Sequence, residues 1–404
     1  MKAFTMAWRN VWRNSRRTAA AVAATSLGLF AMIFYSGLVN GYLAGMERNI
    51  LNLEMGDVQV FHPEYRETRS LHDRIEDPDQ VIAALDAESL PAAPRLLGSG
   101  LAAVGDSSAG VSLIGVDVTR DAKVSEINQH LDKGTWLDPA DPHGVVIGRK
   151  LAQVLGAELG AELVVLSQGA DGSTANDLYS VRGILLGVGD GVDRSGVFMV
   201  DAAFRELMVV PTGAHQIIVR RGDMTLDSAA AAVRAAATDL EAMTWRELNP
   251  TLASMLDSAS AAMGMMFAIV YMAIGIVILN SMLMAVFERI REFGLLKAIG
   301  VGPGGVLTLI MLETLIQTGM AIIIGLVVSI PVTYYMVTVG FDLTHLVGDL
   351  SVMGVTMDPI WKSEVDISTF TTPVVVLVVI IMLAVIYPAL RAAFVRPIEA
   401  MRSQ

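Results

Sequence analysis

Glu288, Arg291, Glu292 and Lys297 crowd into one short run, FERIREFGLLKAIGVGPGG, over residues 287–305. Opposite charges three and four residues apart pair on a helix surface, so the chemistry available here is ionic recognition, not bond-making. Ile290, Phe293 and Leu296 recur at helical spacing. Gly300, Gly302, Pro303, Gly304 and Gly305 then stop the helix. The run lies between two long apolar stretches, which makes it a short amphipathic helix at a membrane face. Such a helix suits docking into a groove on a soluble partner. The same residues also fit a solvated interfacial helix with no partner.

Bond-making chemistry has little to stand on. No G-x-x-x-x-G-K-[ST] occurs, and Gly300–Gly305 lacks the lysine that would reach a phosphate. The histidines, 62, 72, 130, 143, 215 and 345, form no H-x-x-x-H pair to seat a metal, and there is no cysteine. Gly105–Gly110 faintly resembles the nucleophile loop of trypsin-like proteases, but without partners it reads as a polar turn between strands. Two polar side chains fall inside apolar runs, Asn280 and Glu313. A carboxylate in a bilayer costs ~2.5 kcal/mol or more, so Glu313 must face a partner or water. A structural hydrogen bond or ion pair at a helix contact is preferred over a proton relay.

These residues need elements to carry them. The chain has 404 residues, 53% of them hydrophobic, which is too apolar for an ordinary soluble protein. A net charge of -12 argues against nucleic acid as a partner. Four segments are long and apolar enough to span a bilayer: 18–45, 263–287, 306–337 and 370–390. Arg16 and Arg17 before the first would also fit a signal peptide, but its length and the lack of a small-x-small site favour a retained anchor. Gly319 and Gly325 permit close packing in the third. Basic residues cluster in the N-terminus, the 288–305 loop and the 391–404 tail (Arg391, Arg396, Arg402), so both termini are expected in the cytoplasm. The 338–369 loop holds Asp342, Asp349, Asp358, Glu364 and Asp366 against Lys362, as an outer loop should. Residues 1–17 place Phe4, Trp8, Val11 and Trp12 on one helical face near Arg9 and Arg13. They read either as an interfacial helix or as an extension of span one.

Residues 46–256 form a large extracytoplasmic α+β domain inserted between helices 1 and 2. Strands are expected at Gly56–Phe61, Leu101–Val104, Val111–Val116, Leu163–Leu166, Tyr179–Leu186, Val197–Val200 and Gln216–Val219, with Met243–Trp245 closing the sheet. Asp77-Pro78 opens a helix, Gly144–Gly156 is strand, turn and helix, and Leu226–Leu240 is an alanine-rich helix. A further helix from Pro250 runs into span two.

The run E-R-I-R-E-F-G-L-L-K-A-I-G resembles the signature segment of the FtsX-like permeases of ABC transporters, the group of MacB, LolC, LolE and FtsX. Phe293 departs from it by one apolar swap. V-V-I-G-R-K-L-A-Q-V-L-G-A-E-L-G-A is similar to their external domain, with Ala161 in place of an aspartate. P-A-L-R-A-A-F-V-R-P-I-E-A-M-R is similar to their C-terminus, with Pro397 and Glu399 in place. The resemblance implies a multi-pass permease subunit of the bacterial inner membrane. It would pair with a second permease subunit, as a homo- or heterodimer, and with a separate ABC ATPase that holds ATP and Mg; no cofactor is expected on this chain. Glu288, Arg291, Glu292, Gly294, Leu295, Lys297, Ala298 and Gly300 would then form the coupling interface. Leu295 and Ala298 would pack in the ATPase groove, and Gly294 would keep the surface low.

The family implies conversion of ATP-driven closure into movement of the external domains. Lipoprotein release to a periplasmic carrier is the preferred substrate reading. Efflux of a peptide or small molecule is the alternative, and a regulatory scaffold activating cell-wall hydrolases is a third. The carrier-capturing hairpin of LolC-type subunits would fall at Gln168–Asp177. That segment is polar and lacks proline, which suggests a LolE-like role or a different substrate.

Overall fold

The computed structural model describes residues 2–13, 15–186, 188–342, 351–352, 355–356 and 360–395. Arg396, Pro397, Glu399, Arg402, His345, Asp349 and Asp358 lie outside them. The chain divides into two compact units: a helical unit from the segments up to Ala44, Met255–Asp342 and from Ile360 on, and an α/β unit over Gly45–Ser254.

α1 (Lys2–Arg13) is followed by α2 (Ser15–Ile50), which continues in a π turn to Met55. α1 turns Ala7 and Val11 inward and leaves Phe4, Trp8 and Trp12 exposed. Val11 thus marks the buried edge of the aromatic face. Ala7, one turn before it, belongs to the helical core where α1 meets the third span.

The α/β unit follows in chain order: β1 (Val58–Phe61), α3 (Tyr65–Thr68), α4 (Pro78–Ala87), β2 (Ala92–Val104), β3 (Ser107–Val116), α5 (Val118–Val124), β4 (Leu131–Gly134), β5 (Gly144–Ile147) and α6 (Arg149–Leu155). Then come β6 (Glu162–Gln168), β7 (Thr174–Leu185), α7 (Asp190–Ser195), β8 (Gly196–Val200), α8 (Asp201–Met208), β9 (Gln216–Val219), α9 (Leu226–Ala236), β10 (Glu241–Thr244) and α10 (Trp245–Leu248). One 10-stranded sheet runs β10-β1-β9-β2-β3-β8-β5-β7-β4, and β6 pairs both β2 and β7. The strands β2, β3, β8, β5, β7 and β6 thus close a ring, with β9, β1 and β10 as a wing. Leu113, Val146, Leu163, Tyr179 and Phe198 belong to the core of the ring. Val60, Ile82, Leu85, Ile217 and Val233 belong to the core of the wing.

β2 serves both cores. Arg95 pairs with Gln216 of β9, and Leu101 pairs with Leu166 of β6. Between them one edge of β2 has no strand beside it, and a buried backbone donor cannot be left bare. His215 Nδ1 accepts the Leu97 N–H at 3.0 Å, and Ser167 Oγ donates to the Ser99 carbonyl at 2.6 Å. β2 begins at Ala92 rather than at Leu101 because Ala92–Arg95 pairs with β9; Pro94, Gly98 and Gly100 hide that stretch in the sequence. The segment expected as a loop at Gly105–Gly110 is a two-residue turn in which Gly105 takes φ 56, and Ser107–Gly110 is already β3. α4 starts with Pro78 as expected, but Asp77 makes no side-chain cap bond. α9 stops at Ala236, short of Leu240. α8 had no counterpart in the sequence reading. In the Gln168–Asp177 hairpin, Asp171 accepts the Ser173 N–H and O–H, and Thr174–Asp177 belongs to β7.

The remaining helices are α11 (Pro250–Glu288), α12 (Ile290–Ala298), α13 (Pro303–Thr338) and α14 (Ile367–Phe394). Thr18–Leu53, Pro250–Glu288, Pro303–Thr338 and Ile367–Phe394 are each long and apolar enough to cross a membrane. The expected spans lie within them. Leu29, Ile33, Ile310, Leu377, Ile381 and Val385 pack their common core. Gly325 lies where a Cβ would meet Leu29 Cδ2 at 2.9 Å, whereas Gly319 faces open space and makes no close helix contact. The glycine run does two jobs. Gly300, at φ 98, ends α12, and Gly302 caps α13 with Pro303 in its first turn, so Gly304 and Gly305 are helical.

Candidate functional site: a charged junction around the short helix

α12 is separated from α11 by Arg289 alone. Its nine residues, too few for a stable isolated helix, have one buried edge, Phe293 and Gly294. Arg289, three positions before Glu292 and four before Phe293, falls on that edge, and its guanidinium does most of the fastening. Nη1 donates to Glu313 Oε2 at 2.6 Å and Nε to Glu292 Oε2 at 3.0 Å. The same group lies over the Phe293 ring, 5.3 Å from its centre. Glu313 Oε1 accepts from Asn10 Nδ2 at 2.5 Å, and Glu292 Oε1 accepts from Arg13 Nη2. The network therefore joins α1, α12 and α13. Burial pushes the Glu292 carboxyl up, but hydrogen bonds from Arg13 and Arg289 outweigh it and hold it below the usual carboxylate range. At the far end of α12, Lys297 Nζ donates to the carbonyls of Ala393 and Val395 at 2.8 and 2.7 Å. It thereby satisfies free acceptors at the end of α14.

The eight residues expected to face a partner thus separate into two groups. Glu288, Arg291, Leu295, Ala298 and Gly300 are exposed. Glu292 and Lys297 are engaged within the chain, and Gly294 is buried against the chain's own core, so it does not lower the outward surface. Glu313 lies in an intrachain ion pair. Asn280 is exposed on α11 and joins none of these bonds. Nothing in the sequence singles out Asn10 or ties Arg13 and Arg289 to Glu292 and Glu313. Only Arg289 carried a local signal, its place on the Phe293 face of the helix. The junction can hold a short helix rigidly while presenting its other side.

Two regions of the chain match known families. Residues 264–397 match the FtsX-like permease C-terminal region, and residues 18–239 match the MacB-like periplasmic core domain. The lipoprotein-releasing system transmembrane protein LolC of Neisseria meningitidis serogroup B is 22% identical over 403 residues, covering 95% of this chain and 94% of that one. LolC of Xylella fastidiosa is 22% identical over 306 residues, 71% of this chain and 72% of that one. The periplasmic region of MacB from Actinobacillus actinomycetemcomitans, a solved structure, covers 51% of this chain and 97% of its own at 15% identity and a TM-score of 0.36. The chain belongs to the family of FtsX-like permeases that carry a MacB-like periplasmic core domain between their first and second membrane helices.

Proposed function

We propose that this chain is the permease subunit of an ABC transporter in the bacterial inner membrane. A separate ATPase subunit binds ATP and Mg, docks on α12, and drives movement of the α/β unit, which lies in the periplasm. A second permease subunit completes the complex, and lipoprotein release is the work done, as the names of the LolC relatives suggest. The supporting observation is the two-sidedness of α12. Arg289, Phe293 and Lys297 fasten one side to α13 and α14, while Leu295, 60% exposed, is presented outward on the other. A helix so held transmits a push instead of absorbing it.

Leu295→Asp places a carboxylate where an apolar contact forms and leaves every intrachain bond of α12 intact. Co-purification of the ATPase should fall about tenfold or more, and lipoprotein release from proteoliposomes should fall with it. Unchanged binding, hydrolysis and release would remove α12 as the docking element. Orientation has its own test. A reporter fused after Ala170 should be active in the periplasm and one after Gln404 in the cytoplasm; the reverse for either defeats the arrangement.

A further inference from the structure

The unpaired edge of β2 opens onto a cavity of about 820 Å³ within the α/β unit, in the size range of small-molecule sites. Leu97 and Ile114 face each other across β2 and β3 as an apolar patch in its floor, with Ser99, Ser112, Ser167 and Gln168 around them. Met208 of α8 and Phe61 of β1 form further wall. The remaining side is built from the two segments that lead to the candidate spans. Met55 ends the π turn continuing α2, and Leu248 closes α10 two residues before α11 begins. A second cavity of about 240 Å³ shares Met55, Leu97 and Ile114 with the first. Into it faces Gln216, 8% exposed, whose side-chain amide makes no hydrogen bond among the described residues.

The charged residues that line the larger cavity have one sign. Arg66 and Arg69 line the larger cavity, and among the described residues no carboxylate does, although the chain as a whole carries -12. Arg66 is partly satisfied by Glu241 at 3.7 Å. Arg69, in the left-handed region at φ 50, is exposed and makes no ion pair among the described residues. Beside it burial pushes the Tyr65 phenol up to about 12 while Arg69 pulls against the rise, so the phenol stays neutral and can donate. An apolar patch wide enough for one chain, two cationic residues and an adjacent neutral donor fit one kind of molecule.

We propose that this cavity binds an amphiphile with a single alkyl or acyl chain and an anionic head, the chain against Leu97 and Ile114 and the head at Arg69. Binding here requires no ATPase, so it stands or falls separately from the coupling role of α12.

The test uses the full chain in phosphatidylcholine nanodiscs with a diazirine-bearing palmitic acid, and the corresponding alcohol as neutral control. Photolabelling by the acid should reach peptides that contain Leu97, Ile114 or Met208, and the alcohol should label them far less. Arg69→Asp reverses the rim charge with a residue that tolerates the left-handed backbone. It should lower labelling of those peptides about tenfold and leave labelling of the span helices unchanged. Ser112→Trp, which fills the cavity, should do the same. If Ser112→Trp fails to fold, Arg69→Asp decides alone. Labelling confined to the spans, equal labelling by the alcohol, or no effect of Arg69→Asp would each overturn the proposal.

Discussion

In the helical unit, the short helix α12 is held by a buried ionic network. Arg289, 7% exposed, and Glu313, 9% exposed, are paired, and Asn10, Arg13 and Glu292 extend the pair across three helices. In the α/β unit, the gap along β2 is sealed by a neutral group. His215 is fully buried, accepts the Leu97 N–H through Nδ1, and turns Nε2 toward the Leu71 carbonyl at 3.3 Å. The contrast follows from what each device must hold. α12 buries so little apolar surface that charge has to fix it, whereas β2 is already fixed by ladders above and below the gap and by the buried Arg95–Asp121 pair, so the gap needs only neutral partners for the Leu97 N–H and the Ser99 carbonyl. The ionic device should therefore be strong and cooperative, and the imidazole local and sensitive to pH.

The largest effect is expected where the ionic network loses one member. Arg289→Met leaves Glu313 buried without its counter-charge, a loss of roughly 3–5 kcal/mol, whereas removing both partners of such a pair is often nearly neutral. The chain contains no cysteine, so a single introduced thiol reports cleanly on α12. In a Leu296→Cys background, Arg289→Met should speed maleimide labelling, and Arg289→Met with Glu313→Leu should return it close to the parent rate. Equal rates in all three would mean that packing, not charge, holds the helix.

The neutral device should fail in acid. Burial pushes the His215 imidazole down to about 4, the Leu71 carbonyl pulls against the fall, and Arg74 and Arg205 add to it. The unfolded chain therefore binds a proton that the folded one refuses between pH 6.5 and about 4. Stability contributed by neutral His215 is full above that window and falls as pH drops through it, by at most about 3 kcal/mol. Protonation also places a donor at Nδ1, directly against the Leu97 N–H. Hydrogen exchange of Ala92–Val104, corrected for the intrinsic rate at each pH, should show protection falling from pH 7 to 5. His215→Phe should lose protection at every pH and show a flatter profile. An unchanged slope in that variant would assign the pH dependence to other groups.

The same contrast explains what could be read in advance. α12, the strand-turn-helix at Gly144–Gly156 and the four span helices are local patterns of period and punctuation, and each is where its residues place it. The Arg289 network is not local: Asn10 and Glu313 are 303 positions apart, and no periodicity links them. Nor does the sequence around His215 mark it, because its role depends on a gap created by β9 and β6 diverging from β2. Gly294 shows the limit of composition even within a helix. A glycine permits close approach on whichever side it faces, and that side is set by Phe293 beside it.

The smallest effect tests whether the neutral device is local. α10 joins the wing to α11, and Thr244 caps it in a reciprocal box with Glu247. The Thr244 N–H donates to Glu247 Oε2 at 2.7 Å, and Arg234 Nη2 reaches the two carboxylate oxygens at 3.0 and 2.9 Å. The Thr244 N–H, above all, holds the Glu247 carboxyl below its ordinary value of 4.5. A lowered carboxylate contributes stability that is present above its unfolded value and lost as pH falls through the folded one, so this contribution is intact down to about pH 4.5. Thr244→Ala should then cost about 1 kcal/mol by loss of the cap and leave the slope of β2 protection between pH 7 and 5 unaltered. That slope belongs to His215 alone if the imidazole is the acid-sensitive device. Should Thr244→Ala flatten it, the wing and the β2 gap respond to acid as one unit, and the neutral device is not local after all.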